Sequence, residues 1–551
     1  MKSSIDDADR QIIPRWRNSA QAASSPDLLS HKNPTVVPSW RSDIDEKIEE
    51  LRSVGGVGVA ADLANAAILE NRQDALVLAA SVILDSNADA PEYLQEVVRR
   101  LLPPNQLAQL VRSGDASAPR REEVANIRKL LRVEPRNPVL LMDLARLYAS
   151  SGLREKAELF ARQAVALAPN SRWVLRSTSK LLSAHGKHEE AHKLLAKAQA
   201  TPFDPWLIAA EIATAQAAER SPKFWRQGQS FLVARSVAPF HLSELASAVG
   251  TIEIKDGKLK KAKERFQQSL LAPTENTLAQ MKWAEGKLRN GFQLELLIAN
   301  DQLAYEAAFR TSYHAKEMSK ALTLAHQWMA DEPFAPEPVA NVTYIASLLD
   351  DYETAISSTD RELHLAGTRD VCVMNNRIYA LLSSGKAFVD EAFGEETNVW
   401  LANITRDLRE NKILDVGDQI HALANIGLFL YRSGEPLLGR DFYTQAAELA
   451  RRANTRNTEG AVQIYHAREA ILAGSGWAAE VLEAAKKALG GAVTPGPAFY
   501  FEKIERLALA PEKAAQILSP ASISVAKKAS KPLPFRVEKT DKGLTLWVSR
   551  D

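Results

Sequence analysis

The stretch "NPVLLMDLARLYASSGLREKAELFARQAVALAP" (137–169) runs straight into "NSRWVLRSTSKLLSAHGKHEEAHKLLAKAQATP" (170–202), and the two align without a gap. Gly152 recurs as Gly186, Ala157 as Ala191 and Ala164 as Ala198, each 34 residues on. Pro135 and Pro169 share that interval, and Tyr148 and Leu182 each stand four residues before the glycine. A fixed period of this length marks a supersecondary unit that buries its apolar face on its neighbours. Small residues let two helices approach closely, and proline closes the second helix because it cannot continue it.

The pattern resembles the tetratricopeptide repeat, a helix–turn–helix unit of about 34 residues. Leu141, Leu144, Ala145 and Tyr148 match the first helix of that family; Ala157, Ala164 and Pro169 match the second, with Ala161 where the family has an aromatic. The skeleton returns as Leu423, Ile426, Gly427, Leu430, Gly434, Gly439, Tyr443 and Ala446. It returns in part as Gly257, Ala262 and Pro273, and as Asp350 at a turn with Ala355 five residues later. Degenerate pairs are read at 63–84 and in the stretches around 375–388 and 470–489, while 285–335 and 395–420 fit poorly. The resemblance covers roughly 60–520 and implies an all-α fold, a right-handed α-solenoid whose concave surface takes a peptide or helix of a protein partner.

Composition agrees with a large folded core: 551 residues, 46% hydrophobic and 25% charged. The net charge of +1 gives no global reason for nucleic acid or an anionic membrane as partner. The single cysteine, Cys372, fits a reducing compartment and excludes cysteine-rich zinc sites; it is read as a core residue and not a nucleophile. No signal-peptide h-region and no apolar run of membrane-spanning length is found, so a cytoplasmic protein is expected.

Two short motifs carry chemistry if taken alone. His188-Glu189-Glu190-Ala191-His192 has the H-E-x-x-H spacing of zinc peptidases. The repeat, however, puts Ala191, Leu194, Leu195 and Ala198 on the buried stripe, the two histidines on its shoulder and Glu189 toward solvent. A zinc peptidase needs both imidazoles, a third ligand and the glutamate near the metal-bound water. Glu211 is the candidate third ligand, but it belongs to the next repeat. Gly56-x-Gly58-x-x-Ala61 loosely matches a dinucleotide fingerprint, yet a charged helical pattern precedes it where a strand is required. No catalytic residue, metal or other cofactor is therefore expected.

Outside the repeats, "IIPRWR" (12–17) and "VVPSWR" (36–41) are two copies of an apolar-Pro-x-Trp-Arg motif. Residues 1–43 are otherwise rich in Ser, Ala, Pro and Asn and read as a disordered tail. Proline pre-orders an extended backbone, and Trp and Arg are favoured at binding hot spots. Pro14, Trp16, Arg17, Pro38, Trp40 and Arg41 are thus the candidate partner-binding residues; the alternative is that both tryptophans dock on the protein's own solenoid. Lys258, Lys260, Lys261 and Lys263 form a basic cluster at a helix start, read as a solvated face or an anionic contact. The solenoid is expected over 44–525. Residues 526–551 read as a polar linker and a small β-hairpin around Asp541-Lys542-Gly543. The functional expectation is a non-catalytic scaffold or adaptor between proteins. The alternatives are a regulatory subunit of a bacterial stress or defence complex that contacts nucleic acid through basic patches, and a zinc metallopeptidase using 188–192.

Overall fold

Gly152 and Gly186 end their helices by one device. Each takes a left-handed backbone, with φ of 70° and 74°. Its own N–H donates to a carbonyl three residues back, and the next residue's N–H donates five back, Leu153 to Tyr148 and Lys187 to Leu182. These bonds satisfy carbonyls that a helix end leaves open. The same pair of bonds recurs at Gly257, Gly434 and Gly474. It also recurs at Glu219, Lys316, Asp350 and Asn454, which hold the left-handed conformation without being glycine, at φ between 55° and 61°.

The computed structural model describes residues 9–19, 44–102, 120–518, 535–540 and 543–548, apart from 55, 70–71, 85–89, 235–236, 289–291, 302, 365–370, 411, 413–414 and 491–493. The described residues are overwhelmingly helical, and none of their helices is long and apolar enough to cross a membrane. The chain divides into two compact units, Arg10–Ala304 and Tyr305–Asp551. Among the described residues between 286 and 304, the one helix is the short Glu295–Asn300.

In the N-terminal unit, α1 (Ile44–Val54), α2 (Val57–Leu69), α3 (Gln73–Ile83) and α4 (Glu92–Leu101) enclose one small apolar core. Gly56, at φ 94°, lies between α1 and α2, and Gly58 lies in the first turn of α2, so the glycines follow a helix and not a strand. After α5 (Arg120–Val133) come four hairpins: α6 (Pro138–Ala149) with α7 (Arg154–Leu167), α8 (Arg172–Ala184) with α9 (His188–Lys197), α10 (Pro205–Ala217) with α11 (Trp225–Val233), and α12 (Pro239–Lys255) with α13 (Leu259–Ser269). Helices α14 (Glu275–Glu285) and α15 (Glu295–Asn300) complete the unit. Helices α6, α8, α10 and α14 start on side-chain caps, the Asn137, Ser171, Asp204 and Thr274 oxygens accepting their backbone N–H groups. Ala157, Ala191 and Ala262, five residues past the turn glycines, are fully buried where the second helix packs on the first.

The C-terminal unit contains α16 (Tyr305–His314), α17 (Met318–Asp331), α18 (Pro336–Leu348), α19 (Tyr352–His364), α20 (Val371–Ser383), α21 (Lys386–Val389) and α22 (Glu391–Arg409). It continues with α23 (Val416–Arg432), α24 (Pro436–Arg452), α25 (Arg456–Leu472), α26 (Ala478–Leu489) and α27 (Pro495–Leu509). Helices α23 and α24 meet glycine to glycine: a Cβ on Gly439 would stand 2.5 Å from the Tyr431 ring and 2.9 Å from the Gly427 carbonyl oxygen. Helix α27 packs out of sequence order on α16, α18 and α25. Gly496 admits it, since its N–H donates to the Tyr313 hydroxyl at 3.1 Å and a side chain there would collide with Tyr313 and Tyr344. The terminal backbone forms antiparallel strands β1 (Phe535–Thr540) and β2 (Gly543–Val548), with Phe535 opposite Val548 and Thr540 opposite Gly543.

Candidate functional site: a groove filled by the chain itself

The first helices of the N-terminal unit bury polar residues that a plain apolar core would not contain. Arg172, Arg176, Lys180, Glu211, Glu244, Asn276 and Gln280 are all buried. Buried charge is costly unless paired, and here the pairs exist. Arg176 donates to Glu244 at 2.8 Å and to the Trp206 carbonyl at 3.2 Å, and its guanidinium lies 4.8 Å from the centre of the Trp206 ring. Arg172 donates to Asp204 at 2.6 Å.

Residues 10–19 lie along these helices. They form no regular secondary structure up to Asn18, and Ile12, Pro14 and Trp16 are buried while the residues between them are half-buried. Such alternation is that of an extended chain with one side turned inward. Trp16 is 0% exposed, and Ile12 joins the apolar cluster of Ile208, Ile212, Leu242 and Leu245. The backbone is held by side chains: the carbonyls of Arg10, Ile13 and Trp16 accept from Gln280 (2.9 Å), Asn276 (3.1 Å) and Arg146 (3.3 Å). The same Asn276 amide donates to Glu244, so the buried ion pair and the bound segment share one network.

Both ends are fixed by charge. Arg10 donates to Gln280 at 2.6 Å and Asn276 at 2.8 Å, and Ser19 bonds Asp143 through both its N–H and its hydroxyl. Arg17 pairs with Glu275 at 2.6 Å, the side chains 11% and 20% exposed. Burial pushes the Glu275 carboxyl up, but the Arg17 guanidinium outweighs this and holds it below the usual carboxylate range. Asp301 is shifted the other way, raised by burial and by the Glu275 charge.

Of the sequence candidates, the structure therefore brings Pro14, Trp16 and Arg17 together, on the protein's own helices. The disordered tail expected over 1–43 does not hold for 10–19, because Ile12 and Trp16 bury apolar surface and Arg17 finds a carboxylate. Pro38, Trp40 and Arg41 lie outside the described residues. Lys258, Lys260 and Lys261 are exposed and Lys263 is half-buried, and Lys258 pairs with Asp256 at 2.8 Å. Nothing gathers the four around a common point.

The 188–192 stretch opens α9. His192 meets Glu211 at 2.9 Å, but that carboxylate also accepts the N–H groups of Lys223 and Phe224 and so fixes the loop into α11. Glu189 is drawn outward to Lys193 (3.0 Å) and Arg220 (3.2 Å). Among the described residues, no group of three or more His, Cys, Asp and Glu side chains could hold a metal ion. Cys372 is half-buried beside Val339, Ala340 and Val373.

A second polar centre, in the C-terminal unit, has no motif to announce it. Arg468, 0% exposed, donates to the hydroxyls of Tyr379 (2.6 Å), Tyr500 (3.0 Å) and Tyr352 (3.3 Å) and to Glu469. Arg432 grips the same Glu469 with two bonds of 2.7 and 3.1 Å. Lys503 and Tyr500 of α27 reach Asp350, so this network ties α27 to the rest of the unit. Nearby His466 is pushed down to about 3 by burial and by Arg440, and stacks on Tyr443 with centroids 4.9 Å apart.

The fold and the filled groove define a helical repeat-like protein that holds an extended peptide of its own. No protein-family model matches the chain, and no curated protein matches it either.

Proposed function

We propose that the protein is a non-catalytic scaffold of the tetratricopeptide type, its hairpins stacked as a right-handed solenoid, that joins protein partners by holding an extended peptide against the first helices of its N-terminal unit. The observation that carries this reading is residues 10–19, which occupy that groove as a bound peptide would. Trp16 fills a pocket, Arg17 meets a carboxylate, and the main-chain carbonyls are read by Gln280, Asn276 and Arg146. Aromatic and arginine anchors of this kind carry most of the affinity in peptide recognition. Tethered in the same chain, the segment acts at a high effective concentration, so a partner peptide must displace it.

The test is a titration of full-length protein carrying Trp16→Ala with a labelled peptide of residues 9–19. Saturable binding, lost when the tryptophan of the peptide is replaced by alanine and much weaker to the wild-type protein, is expected. Failure of the peptide to bind would overturn the reading.

A further inference from the structure

We propose that Val36–Arg41 is a second ligand for the groove that holds Ile12–Arg17, taking its place when the first copy is withdrawn. This rests on the groove being a peptide receptor, and it names a ligand that the same chain supplies. A shift of 24 residues carries Ile12 to Val36, Ile13 to Val37, Pro14 to Pro38, Trp16 to Trp40 and Arg17 to Arg41. Pro14, Trp16 and Arg17 are kept and Ile12 and Ile13 each lose one methylene, while Arg15, whose charge lies near Glu275, becomes Ser39.

The backbone contacts transfer as well. Gln280, Asn276 and Arg146 donate to carbonyls at Arg10, Ile13 and Trp16, and a carbonyl is present whatever the side chain. In the shifted register these become the carbonyls of residues 34, 37 and 40.

Several differences weaken the second copy, among them the loss of the Arg15 charge near Glu275. Pro34 stands in place of Arg10 and cannot donate to Gln280 and Asn276. Asp43 stands in place of Ser19 and would set a carboxylate against Asp143, where Ser19 donates twice. With the smaller valine in the Ile12 pocket, these changes predict binding about 10- to 100-fold weaker than that of the first copy. The first copy is thus the resident ligand. A partner that strips it away meets a second claimant for the same groove.

Full-length variants Trp16→Ala, Trp40→Ala and the double substitution test this. With Trp40→Ala alone, the unfolding midpoint should stay at the wild-type value. It should fall with Trp16→Ala and fall further with both, because only then is the groove without a tryptophan. A peptide of residues 33–43 should bind the double variant, and the 9–19 peptide should displace it at about 10- to 100-fold lower concentration. If Trp16→Ala does not fold, Arg17→Glu replaces it as the variant that frees the groove. A double variant no less stable than Trp16→Ala, with a 33–43 peptide that fails to bind where the 9–19 peptide binds, overturns the proposal and leaves the receptor reading standing. Failure of the 9–19 peptide itself removes both.

Discussion

Reversing the Arg17–Glu275 pair tests whether residues far apart in the chain meet as described. The pair is 2.6 Å long and its side chains are 11% and 20% exposed. An exposed pair is worth about 0–1 kcal/mol, whereas removing one partner of a buried pair costs about 3–5 kcal/mol. This pair lies between, so Arg17→Ala should cost about 1.5–3 kcal/mol. Arg17→Glu should cost more, because a third carboxylate then joins Glu275 and Asp301, whose charges already oppose each other. Glu275→Arg should be similarly harmful, facing Arg17 and the nearby charge of Arg15. Combining Arg17→Glu with Glu275→Arg restores an ion pair at the same place. Denaturant unfolding of all four proteins gives the coupling energy, expected at about 1–2 kcal/mol in favour of the double variant. Simple additivity, within about 0.5 kcal/mol, would show that the residues do not interact. The pH dependence has a definite sign. Glu275 is depressed by Arg17, so its contribution is present above the ordinary carboxylate range and disappears as pH falls through the depressed value. Arg17→Ala should remove that acid limb.

Trp16→Ala should destabilise the N-terminal unit by up to about 3–5 kcal/mol, the range for a buried tryptophan, limited by the free energy with which the segment docks; equilibrium unfolding measures it. Ala321→Arg should be severely destabilising, by about 3 kcal/mol or more, because Ala321 is fully buried behind the Lys316 turn; wild-type stability would refute that hairpin. Gly439→Ala should cost about 1–3 kcal/mol through the collision with Tyr431 and the Gly427 carbonyl, seen as a lowered melting temperature. His466 is held neutral, so its contribution is full above about 6.5 and is lost as pH falls toward about 3, at a slope of up to about 1.4 kcal/mol per pH unit. His466→Gln should flatten the stability profile between about pH 4.5 and 6.5, and parallel profiles would refute the assignment.

The hairpins were legible wherever glycine made the left-handed turn: Gly152, Gly186, Gly257 and Gly434 each mark one, with a small residue five positions on. The 285–335 stretch fits the pattern poorly because Lys316 makes that turn instead, hiding a hairpin whose Ala321 stands where Ala157 and Ala191 stand in theirs. The strain of a left-handed lysine is small against the packing it permits, so tertiary contact decides and local propensity does not. Docking of the Trp16 motif on the protein's own helices was one of two readings the sequence left open, but the residues that hold it were not visible. Asn276, Gln280 and Glu275 are ordinary helical residues until the fold lays residues 10–19 beside them. Arg468 and its tyrosines were silent for the same reason: they come from four helices, and no short spacing links them.

The most direct measurement is the rate at which trypsin cuts after Arg15 and Arg17 in native full-length protein, read by mass spectrometry of the released N-terminal fragments. A protease needs an extended, accessible chain, and the docked segment must first leave its groove. Cleavage at these two bonds should be at least about 100-fold slower than in a free peptide of residues 9–19, and Trp16→Ala or Arg17→Glu should speed cleavage after Arg15 toward the free-peptide rate. Cleavage of the wild-type protein at the free-peptide rate would contradict a groove filled by its own chain.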